Sequence, residues 1–272
     1  MRAKQSLWAF VLGVAVLVSG CGQNDGKNEA QKTNMVELKV GATPVPHAKI
    51  LEIIKEDLQK EGVRLSIVEF SDYVTPNLSL NDGSLDANFF QHKPYLYEMN
   101  KERKLDLVAV ADIHIEPMGF YSSKISDITE LAQGSAIAIP NDPTNGGRAL
   151  ILLHNKGLIT LKDPSNLAST QADIIENPKG FKIISIEAAL LPRIVKEYEG
   201  AVINSNFAIP AGFSSKDALI IEDRSSPYVN VLVVKAANID NPHILKLKKA
   251  LQSPKVKEFI EQTYKGELVP VF

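Results

Sequence analysis

The chain has 272 residues and a single cysteine, Cys21. It can therefore close no internal disulfide and build no cysteine-based metal centre. Histidine is scarce too, at five, and no His-x-x-His spacing supports a metal site from His47, His92, His114 and Glu116. There is no G-x-S-x-G elbow, no G-x-G-x-x-G turn and no P-loop, so neither an activated nucleophile nor a phosphate cradle is signalled. The expectation is no enzyme, no cofactor and no metal. Neither sign of charge dominates: 30 Lys and Arg against 32 Asp and Glu give a net charge of −2. With no basic tract, nucleic acid is excluded as a partner class. The carboxylate pair Glu222-Asp223 sits in a charged, turn-like segment and reads as solvated.

The N-terminus is distinctive. Arg2 and Lys4 precede the apolar run Leu7 to Val18, which is too short to span a bilayer, and Val18-Ser19-Gly20 then leads into Cys21. Small residues ahead of a lone cysteine resemble a bacterial lipobox. Residues 1–20 are thus expected to be a lipoprotein signal peptide, and Cys21 the lipidated first residue of the mature chain. Acyl chains anchor by burying methylenes. Loss of Arg2 and Lys4 moves the net charge from −2 to −4. Residues 21–34 (CGQNDGKNEAQKTN) are polar and read as a flexible tether. Roughly 235 residues remain for folding, enough for one large domain or two lobes.

From Met35 onward, strand-like and helix-like stretches alternate. Glu37 to Ala42 reads as a strand. His47 to Lys60 carries Ile50, Leu51, Ile54 and Leu58 on one helical face, and Val63 to Phe70 is a second strand. Strand, helix and strand of these lengths predict a βαβ unit with parallel pairing. Further helices are expected from Lys93 to about Arg103, from Asp142 to Gly157, from Ser169 to Glu176 and from Ala188 to Tyr198. Strands are expected at Leu105–Ala111, Ala136–Ile139, Phe181–Ile186, Gly200–Ile203 and Val229–Val234. Asn241-Pro242 and Ser253-Pro254 cap two closing helices. The class is α/β with mostly parallel sheets. Crossings near residues 112–118 and 228–236 divide the chain into a first lobe, 35–112 plus 235–272, and a second lobe, 113–234, with a ligand cleft between them.

The most informative stretch is Pro140-Asn141-Asp142-Pro143-Thr144-Asn145-Gly146-Gly147-Arg148, a strand-to-helix turn. Asp142 suits the cap and Pro143 the first helical position, and such a junction favours anions. Arg148 can fork onto a carboxylate or phosphate, or stand solvated. Polar and aromatic residues recur at other strand ends and helix starts: Tyr73, Phe90, His92, Tyr95, Asn145, Asn204 and Asn230. In open α/β sheets ligands bind beyond the carboxyl ends of strands. The two later asparagines offer amide donors and acceptors, and the aromatics suit an apolar slot or a thioether. Taken singly, Phe90 and Tyr95 read more readily as core, His92 as a helix cap and Asn204 as a turn former.

Six ordered blocks carry a family resemblance: Val45-Pro46-His47-Ala48; Asp72-Tyr73-Val74 with Pro76-Asn77; Asp86 to Leu96 around Gln91-His92-Lys93-Pro94-Tyr95; Pro140 to Arg148; Ala201-Val202-Ile203-Asn204; and Ser226-Pro227-Tyr228-Val229-Asn230. Over essentially the whole mature chain the sequence resembles the NlpA/MetQ-type lipoproteins, substrate-binding components of methionine ABC importers. The resemblance implies a two-lobed periplasmic-binding-protein fold, type II-like, that closes on L-methionine and delivers it to a permease driven by an ATPase. It implies a cell-membrane location, lipid-anchored and facing the periplasm or exterior. By matching positions, Arg148 would pair with the ligand carboxylate, and Asn204 and Asn230 would fix the amino and carboxylate groups. Tyr73, Phe90, His92 and Tyr95 would surround the side chain, with Asn145 beside the backbone groups. Gly146 stands where many relatives carry a larger apolar residue, which leaves the pocket's shape open. Other cargoes, namely methionine dipeptides, D-methionine or another apolar amino acid, remain alternatives, as does a surface adhesin.

Overall fold

The structure, a computed structural model, describes residues 35–272. The expected signal peptide, Cys21 and the tether lie outside the described residues.

The chain begins with the expected βαβ unit. Strand β1 (Val36–Ala42) leads through a tight turn to helices α1 (Lys49–Glu52) and α2 (Lys55–Lys60), then to β2 (Val63–Glu69), which pairs parallel to β1. The single helix expected over 47–60 is broken at Ile53-Ile54, yet Ile50, Leu51, Ile54 and Leu58 are all buried as its face requires. Next come α3 (Thr75–Asp82), β3 (Ala87–His92), α4 (Lys93–Arg103) and β4 (Leu107–Ile115). The chain then enters a second sheet through β5 (Gly119–Tyr121), β6 (Ala136–Pro140) and α5 (Pro143–Asn155). A small hairpin of β7 (Thr160–Leu161) and β8 (Ile174–Glu176) follows, then β9 (Lys182–Ile186), α6 (Leu191–Ile194), β10 (Gly200–Ile203), α7 (Ser205–Ala208) and β11 (Ile220–Ile221). Strand β12 (Val229–Lys235), helices α8 (Pro242–Leu251) and α9 (Pro254–Tyr264), and β13 (Val269–Pro270) return to the first sheet.

The first sheet has the order β13-β4-β12-β3-β1-β2 and the second β11-β5-β10-β6-β9. Each lobe is a sheet flanked by helices, so the class is α/β and the fold two-lobed. Both sheets are mixed rather than mostly parallel. β12 runs antiparallel to both β3 and β4, and β5 runs antiparallel to β10 and β11. The cause is the crossing itself: a strand that leaves one sheet for the other and a strand that comes back run in opposite directions.

The same pairing corrects the lobe boundaries. β4 pairs as far as Ile115 and β12 from Val229, so residues 113–115 and 229–234, expected in the second lobe, belong to the first sheet. The crossings are residues 116–118 and 222–228. They run side by side, with Glu222 N–H donating to the Met118 carbonyl at 3.0 Å. One expected helix fails and one forms irregularly. Residues 169–176 hold only a 3-10 turn at Gln171–Asp173 and then β8, whereas the stretch from Ala188 is helical as far as Glu197 but passes from 3-10 (Ala188–Leu190) to α6, with Pro192 in its first turn, and back to 3-10 (Val195–Glu197). Pro192 has no N–H to bond back into a preceding turn. The closing helices start as expected, Asn241 accepting from His243 N–H and Ser253 from Val256 N–H.

Each lobe has its own core. In the first, Val40, Phe89, Ile113 and Leu232 of the sheet meet Ile50, Leu51, Leu247 and Ile260 of the helices. In the second, Phe120, Ile137 and Val202 meet Leu150 and Leu153 of α5. Phe90, Tyr95 and Met99, with Tyr73 against them, form a separate small cluster between the two.

Candidate functional site

That aromatic cluster is one wall of a tight cavity, of about 20 Å³, between the lobes. All eight sequence-derived candidates line it: Tyr73, Phe90, His92, Tyr95, Asn145, Arg148, Asn204 and Asn230. Gln91, Glu116 and Asn206 line it too, and the sequence reading did not place them there.

The junction of β3 and α4 builds the aromatic wall. His92 caps α4 by accepting the Tyr95 N–H at Nδ1 (3.2 Å), and Pro94 occupies the first turn. Strand alternation turns Phe90 and His92 to the same side as Tyr95. The Tyr95 hydroxyl donates to the Tyr73 carbonyl (2.8 Å), and the Tyr73 hydroxyl donates to Asn206 Oδ1 (2.6 Å), a residue of the second lobe. The three rings of Tyr73, Phe90 and Tyr95 lie 5.9–6.2 Å apart, in the range of favourable aromatic pairs. Beneath them Asn77, Asn88 and Gln91 exchange amide hydrogen bonds that tie α3 to β3.

The junction of β6 and α5 builds the polar wall. Asp142 caps α5 by accepting the Asn145 N–H (2.9 Å), as expected, and its carboxylate also accepts from Asn145 Nδ2 (2.9 and 3.0 Å) and from the Thr144 hydroxyl (3.2 Å). Asn145 Oδ1 in turn accepts from Asn204 Nδ2 (2.8 Å) and His92 Nε2 (3.0 Å). Since His92 Nδ1 is an acceptor, its proton is on Nε2 and the ring is neutral. Burial and then the nearby Arg148 charge hold its pKa down at about 3. Asn145 is therefore saturated by protein, and its place is that of a scaffold holding His92 and Asn204 rather than of a free contact.

Arg148 is fully occupied on one side. Its Nε donates to Glu222 Oε1 (2.7 Å), and Nη2 donates both to Glu222 Oε2 and to the Glu116 carbonyl (2.7 Å). The Tyr228 ring lies 4.2 Å below the guanidinium. Burial opposes the charge, but Glu222 outweighs it and the arginine pKa is raised. Glu222, read as solvated in sequence, is thus a partly buried counter-ion (11 % exposed) whose Oε2 also accepts the Met118 N–H (2.9 Å). Arg148 from the second lobe pins both crossing segments. Only Nη1 is without a hydrogen bond among the described residues, and it is what the guanidinium has left to offer the cavity.

Two other polar atoms on the lining residues are buried without a partner: Asn204 Oδ1, an acceptor, and Asn206 Nδ2, a donor. Buried groups of this kind are rare because each costs about 1–3 kcal/mol. Asn230 uses its Oδ1 on His47 Nε2 (3.1 Å). Gly146, beside the cavity in sequence, faces away from it. It lines an outer groove with Pro143 and Ser169, whereas a Cβ on Gly147 would lie 2.6 Å from the Leu167 carbonyl.

His47, His114 and Glu116 offer donor atoms within 4.8 Å of one another. The set is bonded as a proton-sharing network, with His114 Nε2 at 2.7 Å and His47 Nε2 at 3.3 Å from Glu116 Oε1. A ring that ligates a metal through Nε2 is normally oriented by an acceptor at its other nitrogen, and His114 Nδ1 has none. His92 is not part of this group.

Residues 38–272 match the NlpA lipoprotein family. The chain belongs to that family. This member is 41 % identical over 262 residues to the D-methionine-binding lipoprotein MetQ of Escherichia coli K12, covering 95 % of this chain and 94 % of that one. It superposes on a nutrient binding protein from Burkholderia cenocepacia bound to methionine with a TM-score of 0.84 and 42 % identity, covering 86 % of this chain and 100 % of the other. An ABC transporter periplasmic substrate-binding protein from Coxiella burnetii gives a TM-score of 0.82 at 41 % identity, with 86 % and 100 % covered. Among the described residues no helix is long and apolar enough to cross a membrane.

Proposed function

We propose that this family member is a non-catalytic, lipid-anchored binding protein that captures free methionine between its lobes and presents it to an ABC permease and its ATPase. The observation that carries the reading is the pairing, within one cavity, of unpartnered polar atoms with an aromatic wall. Arg148 Nη1 and Asn206 Nδ2 are donors for a carboxylate, and Asn204 Oδ1 is an acceptor for an ammonium. Tyr73, Phe90 and Tyr95 offer the soft apolar contact that a thioether prefers. The methionine-bound and transporter-associated relatives support the same reading. Because Tyr73 reaches Asn206 and His92 reaches Asn145, a ligand seated between them is held by both lobes, and its binding shifts the population towards the closed form.

Titration calorimetry on the purified protein, unfolded and refolded to strip carried-over ligand, tests this. The expected result is one-to-one binding of L-methionine, with D-methionine and a methionyl dipeptide run in competition to rank the cargo. No heat with any of them, from protein shown to be folded, would overturn the proposal and leave a surface lipoprotein without a small-molecule ligand.

A further inference from the structure

Glu116 lies in the first crossing segment, 6 % exposed, and lines the cavity. Its two oxygens are treated unequally. Oε1 faces His114 Nε2 and His47 Nε2, whereas Oε2 makes no hydrogen bond among the described residues. The protons can be placed from geometry. His47 Nε2 faces two acceptors, Asn230 Oδ1 at 3.1 Å and Glu116 Oε1, so it carries the proton, and Nδ1 accepts from the Thr43 hydroxyl at 2.6 Å. His114 Nε2, at 2.7 Å from the carboxylate, carries a proton as well, and its Nδ1 is buried without a partner. Both rings therefore present an N–H to one oxygen of the carboxylate and leave the second oxygen free.

Arg148 makes no hydrogen bond to this carboxylate, because its fork is taken by Glu222. With the fork occupied, Glu116 keeps a carboxylate oxygen free on the cavity wall, where an entering cation can pair with it. Asn204 Oδ1, the other orphaned acceptor, lines the same cavity. The two poles of the site are also tied together, since Arg148 Nη2 bonds the carbonyl of Glu116 itself. A cation and an anion held through one residue suit groups carried on one carbon.

We propose that Glu116, clamped by His47 and His114, is the receptor for the ligand's ammonium group, so that the site selects an unblocked α-amino acid and rejects N-acylated and deaminated analogues. This rests on the reading of the cavity as a methionine site. The test compares L-methionine, N-acetyl-L-methionine and 4-(methylthio)butanoate on wild-type protein and on Glu116→Gln by calorimetry. On wild type the two analogues, which carry the carboxylate and the thioether but no cation, should bind at least about tenfold more weakly, as loss of a charged hydrogen bond requires. In Glu116→Gln methionine should weaken by a similar factor while the analogues do not, so that the gap closes. Analogues that bind wild type within about threefold of methionine would overturn the inference even if the variant failed to fold. So would a variant that weakens all three ligands equally, which is what a merely structural role predicts. If folded wild-type protein bound no methionine at all, the functional reading would fall and this inference with it. Methionine binding with an unchanged gap would remove the inference alone.

Discussion

At β3–α4 and at β6–α5 a buried strand runs into a helix whose first turn holds a proline and whose capping side chain accepts the backbone N–H three residues on. The two junctions face each other across the cavity, yet one presents rings and the other charge. At β3–α4 the cap is His92, an apolar ring with a second nitrogen to spare, and that nitrogen crosses to Asn145. At β6–α5 the cap is Asp142, whose carboxylate takes up both the backbone and the side chain of Asn145. Arg148, further along α5, would be an unsupported buried cation there without Glu222, which lies 74 positions away in the chain. Local sequence makes the two junctions alike. Partners from far along the chain make them differ.

The largest test of that contrast is Arg148→Ala. It strands Glu222 in a partly buried position, so stability should fall by about 3–5 kcal/mol, the usual result of breaking one half of a buried pair. Urea unfolding of Arg148→Ala against an Arg148→Met, Glu222→Leu double variant separates the pair's charge from its packing. The double variant should recover most of the loss and still bind no ligand. If the single variant is as stable as wild type, the pair is not the clamp described here.

Acidification comes next. His92 and His47 have pKa values held down by burial, to about 3 and about 4, below the usual 6.5. The unfolded chain therefore takes up their protons first. Stability should be complete above about pH 6.5 and be lost as pH falls below it, by on the order of 2 kcal/mol per histidine between pH 7 and 5. His92→Asn, which keeps a capping side chain, should flatten that slope by about one proton in unfolding curves measured at pH 5, 6 and 7. An unchanged slope would mean that His92 is not buried neutral.

Asp142→Ala removes the cap that sets the polar junction. The expected loss is about 1 kcal/mol of stability, together with weaker ligand binding, because Asn145 no longer holds Asn204 in place. The smallest effect should come from Gly146→Ala. Its Cβ meets only the Pro140 carbonyl, at 3.0 Å, on the outer groove, so stability should move by less than about 1 kcal/mol and affinity not at all. A change in ligand preference would show that position 146 shapes the cavity after all.

Much of this arrangement was legible in order along the chain. The caps at Asp142, Asn241 and Ser253 were visible because a capping side chain and a proline act within one helical turn. The eight candidates reach one cavity because they share a place at strand ends, which topology then gathers. The failures have local causes as well. Residues 169–176 carried a helix-like pattern without enough apolar surface to hold a helix, and Pro192 leaves the helix from Ala188 irregular instead of regular α. The crossing points were misplaced because an apolar run such as Val229–Lys235 looks the same in either sheet, and only pairing with β3 and β4 assigns it.

By itself the sequence determined the α/β alternation, the two helix-capping junctions and the residue types available to a ligand, all set by interactions within a few positions. Tertiary structure decided which of their atoms remain free. Asn145 is spent on Asp142, Asn204 and His92, and Arg148 on Glu222. Asn204 Oδ1, Asn206 Nδ2 and Glu116 Oε2 are left over. A hydrogen-bonding group can be counted from sequence, but whether it is already satisfied depends on what the fold brings within 3 Å of it, and that is a property of the whole chain.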